Sequence, residues 1–195
     1  MALPGITPEV AAERHQVVTA AVFIDRDGVI NANVERGGRP VAPTRLDEFH
    51  ILPGAEDAVR RLRDAGYLVI VCTNQPDVAT GRTPRSTVDA MHAIVRAKLK
   101  VDDIRICFHT DADDCGCRKP KPGLILDAAR EHSIDLSISY MVGDRWRDTA
   151  AGRAAGCLTI FVDYGYEQEG PNQPDHVVAS LSEAANLILS RSAAR

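Results

Sequence analysis

Residues 23–31 read Phe-Ile-Asp-Arg-Asp-Gly-Val-Ile-Asn. An apolar run, Ala20 to Ile24, ends in two carboxylates one residue apart, Asp25 and Asp27. Gly28 then lets the backbone turn sharply. Two acids at a strand end can supply one nucleophile or metal ligand and one proton carrier. The same residues also suit a plain Asp-rich turn, because Asp and Gly are ordinary turn formers. A second group has ligand spacing: Cys107, His109, Cys115 and Cys117 form a C-x-H-x5-C-x-C pattern. Three thiolates and one imidazole fit a closed tetrahedral zinc site, which is structural because no position stays open for water. Buried thiols or a disulfide are the alternatives. Asp111, Asp113 and Asp114 make the loop too polar for a core, and a reducing compartment disfavours disulfides. Cys72 and Cys157 sit in or beside apolar strands and read as small core residues.

These groups need a scaffold. Val17 to Ile24 reads as a buried strand, followed by a polar loop from Asn31 to Glu48. Pro53 opens a helix through Ala65, and Gly66 stops it. Tyr67 to Cys72 is a second apolar strand, ending at Thr73-Asn74-Gln75. Thr83-Pro84 caps a helix to Leu99. Strands are expected at Ile104–Phe108, Ser139–Val142 and Cys157–Val162, with a short one at His176–Ala179. Helices are expected at Leu124–His132, Arg147–Ala155 and Ser182–Leu189. Apolar strands alternating with helices mean a parallel sheet covered on both faces. Asp25, Thr73 and Asp144 all fall just after strand ends, where open α/β sheets bind ligands.

The chain has 195 residues, 45% hydrophobic and 26% charged, with a net charge of −4. That suits one soluble domain from residue 17 to 195 behind a loosely attached arm, residues 1–16. The overall field does not attract polyanions, so no nucleic-acid partner is expected, and an anionic substrate needs a local basic cluster. No apolar run spans a bilayer, and Met1 to Val17 lacks the pattern of a signal peptide. A cytoplasmic protein, monomeric or weakly oligomeric, with no membrane partner is the expectation.

Four motifs stand in order: Asp25-Arg26-Asp27-Gly28, Thr73-Asn74, Lys119, and Gly143-Asp144 with Asp148. On these the chain resembles the haloacid dehalogenase-like (HAD) superfamily of phosphohydrolases over roughly residues 17–165. The resemblance implies a Rossmann-like three-layer α/β/α fold with a mainly parallel sheet. No insertion is large enough for a separate cap domain. It also implies Asp25 as nucleophile and Asp27 as acid and base. Mg²⁺ would be held by Asp25, Asp144 and the backbone carbonyl of Asp27, and Thr73, Asn74, Gln75 and Lys119 would hold the phosphate. The physics agrees. Each like-charge contact at 4 Å costs about 4 kcal/mol at an effective dielectric near 20, so an anionic nucleophile needs cations to meet a phosphate dianion. Asp148, one helical turn on, reads as a supporting charge at a helix start.

Cys-x-His…Cys-x-Cys-Arg-Lys-Pro, continuing to Gly123, resembles the zinc-containing group that holds heptose-bisphosphate and histidinol-phosphate phosphatases. Cys117 would anchor Arg118 and Lys119. The motif Asp25 to Asn31, the run Cys117 to Gly123 and Met141-Val142-Gly143-Asp144 favour the heptose side. A phosphorylated sugar is then the implied substrate, contacted by Arg118 and Arg145, with the 7-phosphate of a heptose 1,7-bisphosphate hydrolysed. The five-residue loop from Thr110 to Asp114 is nearer the histidinol-phosphate pattern. Pro76-Asp77-Val78-Ala79-Thr80 departs from the group's glycine-containing stretch. Arg36 and Arg39 could meet a second phosphate. A non-catalytic phosphate-binding or interaction module on the same fold is the reading from another class.

Overall fold

The computed structural model describes residues 19–167, 169–170 and 173–193. The expected arm, and Val17 and Val18 of the first strand, lie outside the described residues. Six strands form one sheet: β1 (Ala21–Ile24), β4 (Leu68–Asn74), β5 (Asp103–Cys107), β6 (Tyr140–Gly143), β7 (Leu158–Val162) and β8 (His176–Val178). Their order is β5-β4-β1-β6-β7-β8, and every neighbouring pair is parallel. Chain order runs outward from β1 in both directions. The crevice where the direction switches therefore lies at the carboxyl ends of β1 and its two neighbours.

Helices α1 (Ala55–Asp64), α3 (Arg85–Leu99) and α6 (Leu181–Ala193) cover one face, and α4 (Gly123–His132) and α5 (Trp146–Ala155) cover the other. Strand parity explains the division. Val22, Ile24, Val69 and Val71 pack toward the first set, while Ala21, Phe23, Ile70 and Cys72 pack toward the second. Cys72 and Cys157 are buried, as their apolar neighbourhoods suggest.

Four local features differ from the sequence reading. The loop from Asn31 contains a hairpin, β2 (Val34–Arg36) and β3 (Arg39–Val41). Gly37 and Gly38, at φ +61° and +73°, form its two-residue turn. The flanking segments are short and polar, with Pro40 in one of them, so alternation does not reveal them. Thr83 does not cap α3: Pro84 is the N-cap residue, and the buried Thr83 hydroxyl has no partner among the described residues. Pro53 stands before the N-cap of α1, which is Gly54, rather than inside the helix. A further short helix, α2 (Pro76–Ala79), follows β4.

Candidate active site

Asp25 follows β1 directly and donates its backbone N–H to Val142 O at 2.9 Å. β4 and β6 flank β1, with Ile24 in register with both Val71 and Val142. Thr73 and Asn74 at the end of β4, and Asp144 after β6, therefore meet Asp25 at one sheet edge. The ligand atoms of Asp25, Asp144 and Asp148 lie within 4.8 Å of one another. Two glycines permit this crowding. A Cβ on Gly28 would stand 2.1 Å from Asp144 Oδ2, and one on Gly143 would stand 2.1 Å from Asp148 Cβ. Gly28 also sits at φ +83°.

Lys119 is the counter-charge. Its buried Nζ donates to Asp25 Oδ1 at 2.8 Å and Cys72 O at 2.7 Å, and pairs with Asp148 Oδ1 at 2.5 Å. Its backbone is clamped from β4: Lys119 N donates to Asn74 Oδ1 at 3.1 Å, and Asn74 Nδ2 donates back to Lys119 O at 3.0 Å. The sequence brought Asn74 to the site through its backbone. Its side chain has this separate use.

The site suits a divalent cation. With Asp25, Asp144 and Asp148 ionised, three negative charges face Lys119 and Arg145, whose Nε lies 3.5 Å from Asp144 Oδ2, and a formal surplus of one negative charge remains. Asp144 Oδ1 is buried without a partner among the described residues, although Asn33 Nδ2 donates to Oδ2 at 3.1 Å. Burial pushes the Asp25 carboxyl up to about 7, against the pull of Lys119. Burial, with Asp25 and Asp148 nearby, holds Asp144 well above the usual carboxylate range. Burial alone would lower Lys119, but Asp148 and Asp25 outweigh it and keep it protonated. Hard oxygen ligands with surplus charge match Mg²⁺.

Asp27 lives in a different environment. Arg26 Nε donates to its Oδ1 at 3.1 Å, and Arg26 Nη2 donates to Oδ1 and Oδ2 at 2.9 and 3.0 Å. Asn31 Nδ2 adds a bond at 3.0 Å and Gln75 Nε2 one at 2.8 Å. Gln75 also donates to Thr73 Oγ1 at 2.9 Å. Gln75, expected on substrate, thus spends its amide N–H groups on Asp27 and Thr73. Asp144 is not a helix cap: Arg145 is the N-cap residue of α5, and Asp148 accepts its N–H at 3.0 Å.

Above this floor opens a cleft of about 990 Å³. Arg39, Arg82, Arg118, Arg145 and Arg147 stand around it. Arg118 donates to Asp111 Oδ1 at 2.9 Å and to His109 O at 3.1 Å, bracing the cysteine loop. Arg145 Nη2 donates to Pro40 O at 3.0 Å and ties the hairpin to the rim. Arg36 turns away: its guanidinium pairs with Glu48 at 2.5 Å and does not line the cleft. Asp77 and Arg82 pair across the rim at 3.4 Å.

The four expected soft ligands converge. Cys107, Cys115 and Cys117 have Sγ–Sγ separations of 3.0, 3.4 and 3.7 Å. His109 Nδ1 lies 3.3 Å from Cys117 Sγ and 3.6 Å from Cys107 Sγ. Zn–S bonds of about 2.3 Å set tetrahedral edges of about 3.7 Å, so the donor set and its spacing fit zinc. Asp103, Glu131 and His132 form another cluster, but Arg105 already occupies it, donating to Asp103 and Glu131 at 2.6 Å each.

Sequence reasoning passed over Arg26 and His92. Arg26 stood inside the motif without a role, and its side chain is fully buried. His92 interrupts the apolar face of α3 formed by Val88, Met91, Val95 and Leu99. A polar residue at a core position was the available signal.

A HAD-hydrolase-like family model matches residues 116–184. The chain is 32% identical over 182 residues to D-glycero-beta-D-manno-heptose-1,7-bisphosphate 7-phosphatase of Pasteurella multocida, covering 86% of this chain and 96% of the relative. It is 37% identical over 178 residues to the protein of that name from Bordetella bronchiseptica, covering 86% and 97%. The crystal structure of D,D-heptose 1,7-bisphosphate phosphatase from B. bronchiseptica, complexed with magnesium and phosphate, superposes with a TM-score of 0.76. The identity is 33%, covering 89% of this chain and 99% of that one. A HAD-like phosphatase from Mesorhizobium loti gives a TM-score of 0.73 at 28% identity, covering 89% and 85%.

Proposed function

The chain belongs to the HAD-like hydrolases, in the branch that includes heptose-bisphosphate phosphatases, and from that premise we propose that it removes the 7-phosphate of D-glycero-D-manno-heptose 1,7-bisphosphate. The observation that carries the reading is the pairing of two carboxylates in opposite settings. Asp25 sits among acids with a buried lysine, and Asp27 sits inside a ring of donors. Each carboxylate is thus held in place by its own set of partners, Asp25 by Lys119 and Asp27 by Arg26, Asn31 and Gln75.

Asp25 attacks phosphorus as the bond to the sugar oxygen breaks, and Asp27, carrying a proton, gives it to that oxygen. Water then attacks the phosphorylated Asp25. Asp27 takes the water's proton as the new P–O bond forms, and the Asp25–phosphorus bond breaks. Lys119 places positive charge beside Asp25, and Thr73 and the Asn74 backbone face the transferring oxygens. Asp25, Asp144 and the Asp27 carbonyl would hold Mg²⁺, which would supply charge neutralisation and orientation. Cys107, His109, Cys115 and Cys117 would hold zinc, which would fix the loop that carries Arg118 and Lys119. Arg118 and Arg145 stand on the rim where the rest of a phosphorylated sugar would lie.

Among the described residues no helix is long and apolar enough to cross a membrane. Reduced cysteines and the zinc ligand set support a cytoplasmic setting. One catalytic domain from residue 17 onward accounts for all the chemistry.

Phosphate release from heptose 1,7-bisphosphate and from histidinol phosphate, compared as kcat/KM, tests the substrate. The heptose is expected to win by at least about tenfold, or about 1.4 kcal/mol of transition-state preference. The reverse order would replace the substrate. Asp25→Asn should abolish turnover with the fold intact, and unchanged turnover would reject the covalent route.

A further inference from the structure

Arg26 and His92 form a buried pair that the reaction as described does not use. The Arg26 fork turns Nε and Nη2 toward Asp27, while Nη1 lies 3.0 Å from His92 Nε2. The Phe49 ring lies 5.6 Å from the guanidinium carbon. Arginine can only donate, so His92 Nε2 accepts. The proton of the neutral ring is then on Nδ1, where it has no partner among the described residues. His92 is 5% exposed, and burial together with Arg26 lowers its pKa to about 4, so the acceptor form persists at neutral pH.

This arrangement carries a cost that packing does not explain. A leucine or phenylalanine would fill a core position on α3 without a buried orphan donor. Only an acceptor, however, can hold Nη1. With that hold, the planar fork has one orientation and presents two donors to Asp27 from a fixed side. Asn31 and Gln75 approach Asp27 as well, but each supplies one bond where Arg26 supplies three.

We infer that His92 is a positioning residue for proton transfer: it fixes the Arg26 guanidinium, and Arg26 fixes the Asp27 carboxyl beside the leaving oxygen. The inference rests on the reading of Asp27 as acid and base. It adds a link from helix α3 to the proton-transfer step.

The test is a comparison of leaving groups. A sugar alkoxide needs a proton to depart, whereas the p-nitrophenolate of p-nitrophenyl phosphate does not. kcat/KM covers every step up to that departure. General acid–base catalysis contributes about 10²–10⁴-fold, so partial misplacement should cost about tenfold. His92→Phe is expected to lower kcat/KM for heptose 1,7-bisphosphate about tenfold while changing that for p-nitrophenyl phosphate less than about threefold. His92→Gln, which restores an acceptor, should recover most of the loss. Arg26→Lys, which keeps the charge but loses the fork, should show the same selectivity between substrates. Parallel losses on both substrates, no loss at all, or no recovery with glutamine would overturn the inference. A crystal structure of His92→Phe tests it without turnover: the Arg26 fork should leave its present contact with Asp27. An unchanged three-bond contact would overturn the inference. Wild-type protein that hydrolyses neither phosphate would instead reject the functional reading, leaving the structural test standing.

Discussion

Replacing Lys119 with methionine should expose how much of the site's stability rests on one cation. Lys119 Nζ has three acceptors within 2.8 Å: Asp25, Asp148 and the Cys72 carbonyl. Its side chain is 3% exposed, so solvent cannot take over. Removing one partner of a buried pair typically costs about 3–5 kcal/mol, because the remaining charge is left uncompensated. The variant has an escape, which is to hold a proton on Asp25. In the wild type burial already raises that carboxyl to about 7 despite Lys119, and without the lysine it must rise further. Below about pH 7 both proteins carry the proton. Above it the wild type loses the proton first, so the variant's deficit should widen as pH increases. Urea unfolding followed by circular dichroism in Mg²⁺-free buffer should give a deficit of about 3–5 kcal/mol at pH 9 and less at pH 6.5. Saturating Mg²⁺ should narrow the gap at pH 9, while turnover stays at least about a hundredfold down. A deficit that ignores pH, or a variant as stable as wild type at pH 9, would refute the charge argument.

Mg²⁺ should raise the melting temperature more at pH 8 than at pH 5.5. Asp25 and Asp144 are raised in the folded state, so their own contribution to stability is full below about pH 4 and is lost as pH climbs through their folded values. The cation binds the deprotonated forms and offsets that loss; an increment independent of pH would count against a site on these carboxylates. Protein purified under reducing conditions should carry one zinc per chain by elemental analysis. Stripping the zinc should lower activity in a way that added Mg²⁺ does not repair, and full activity without zinc would remove its role in holding the Arg118–Lys119 segment.

Much of this site was legible because chemistry and local structure coincide. Asp25, Thr73 and Asp144 each end an apolar run, and parallel strands put such ends on one edge. The cysteine pattern was legible because its spacing closes a loop on itself. What the chain did not reveal came from long-range packing. Gln75 could be placed at the site, but only tertiary structure shows its amide turned toward Asp27. The Gly37-Gly38 turn was visible, yet its flanks were too short and polar to read as strands. Thr83 had the residue type of a cap, but Pro84 took the position. His92 and Arg26 are 66 residues apart, a separation that no local pattern reports.

The alternation of β1 continues past its last strand residue and separates two kinds of acid. Even positions, Val22 and Ile24, face the side of α1, α3 and α6, and Arg26 extends that series to reach His92 on α3. Odd positions, Ala21 and Phe23, face the side of α4 and α5, and Asp25 extends that series to reach Lys119, just before α4. The turn at Gly28 then brings Asp27 back over the cleft with the arginine already beside it. Each carboxylate is therefore offset by its own cation. Lys119 serves the anionic cluster, which keeps a surplus suited to a divalent ion, while Arg26 serves Asp27 alone. The one-residue spacing of Asp25 and Asp27, with a cation between them, lets a single strand end send two carboxylates into different surroundings.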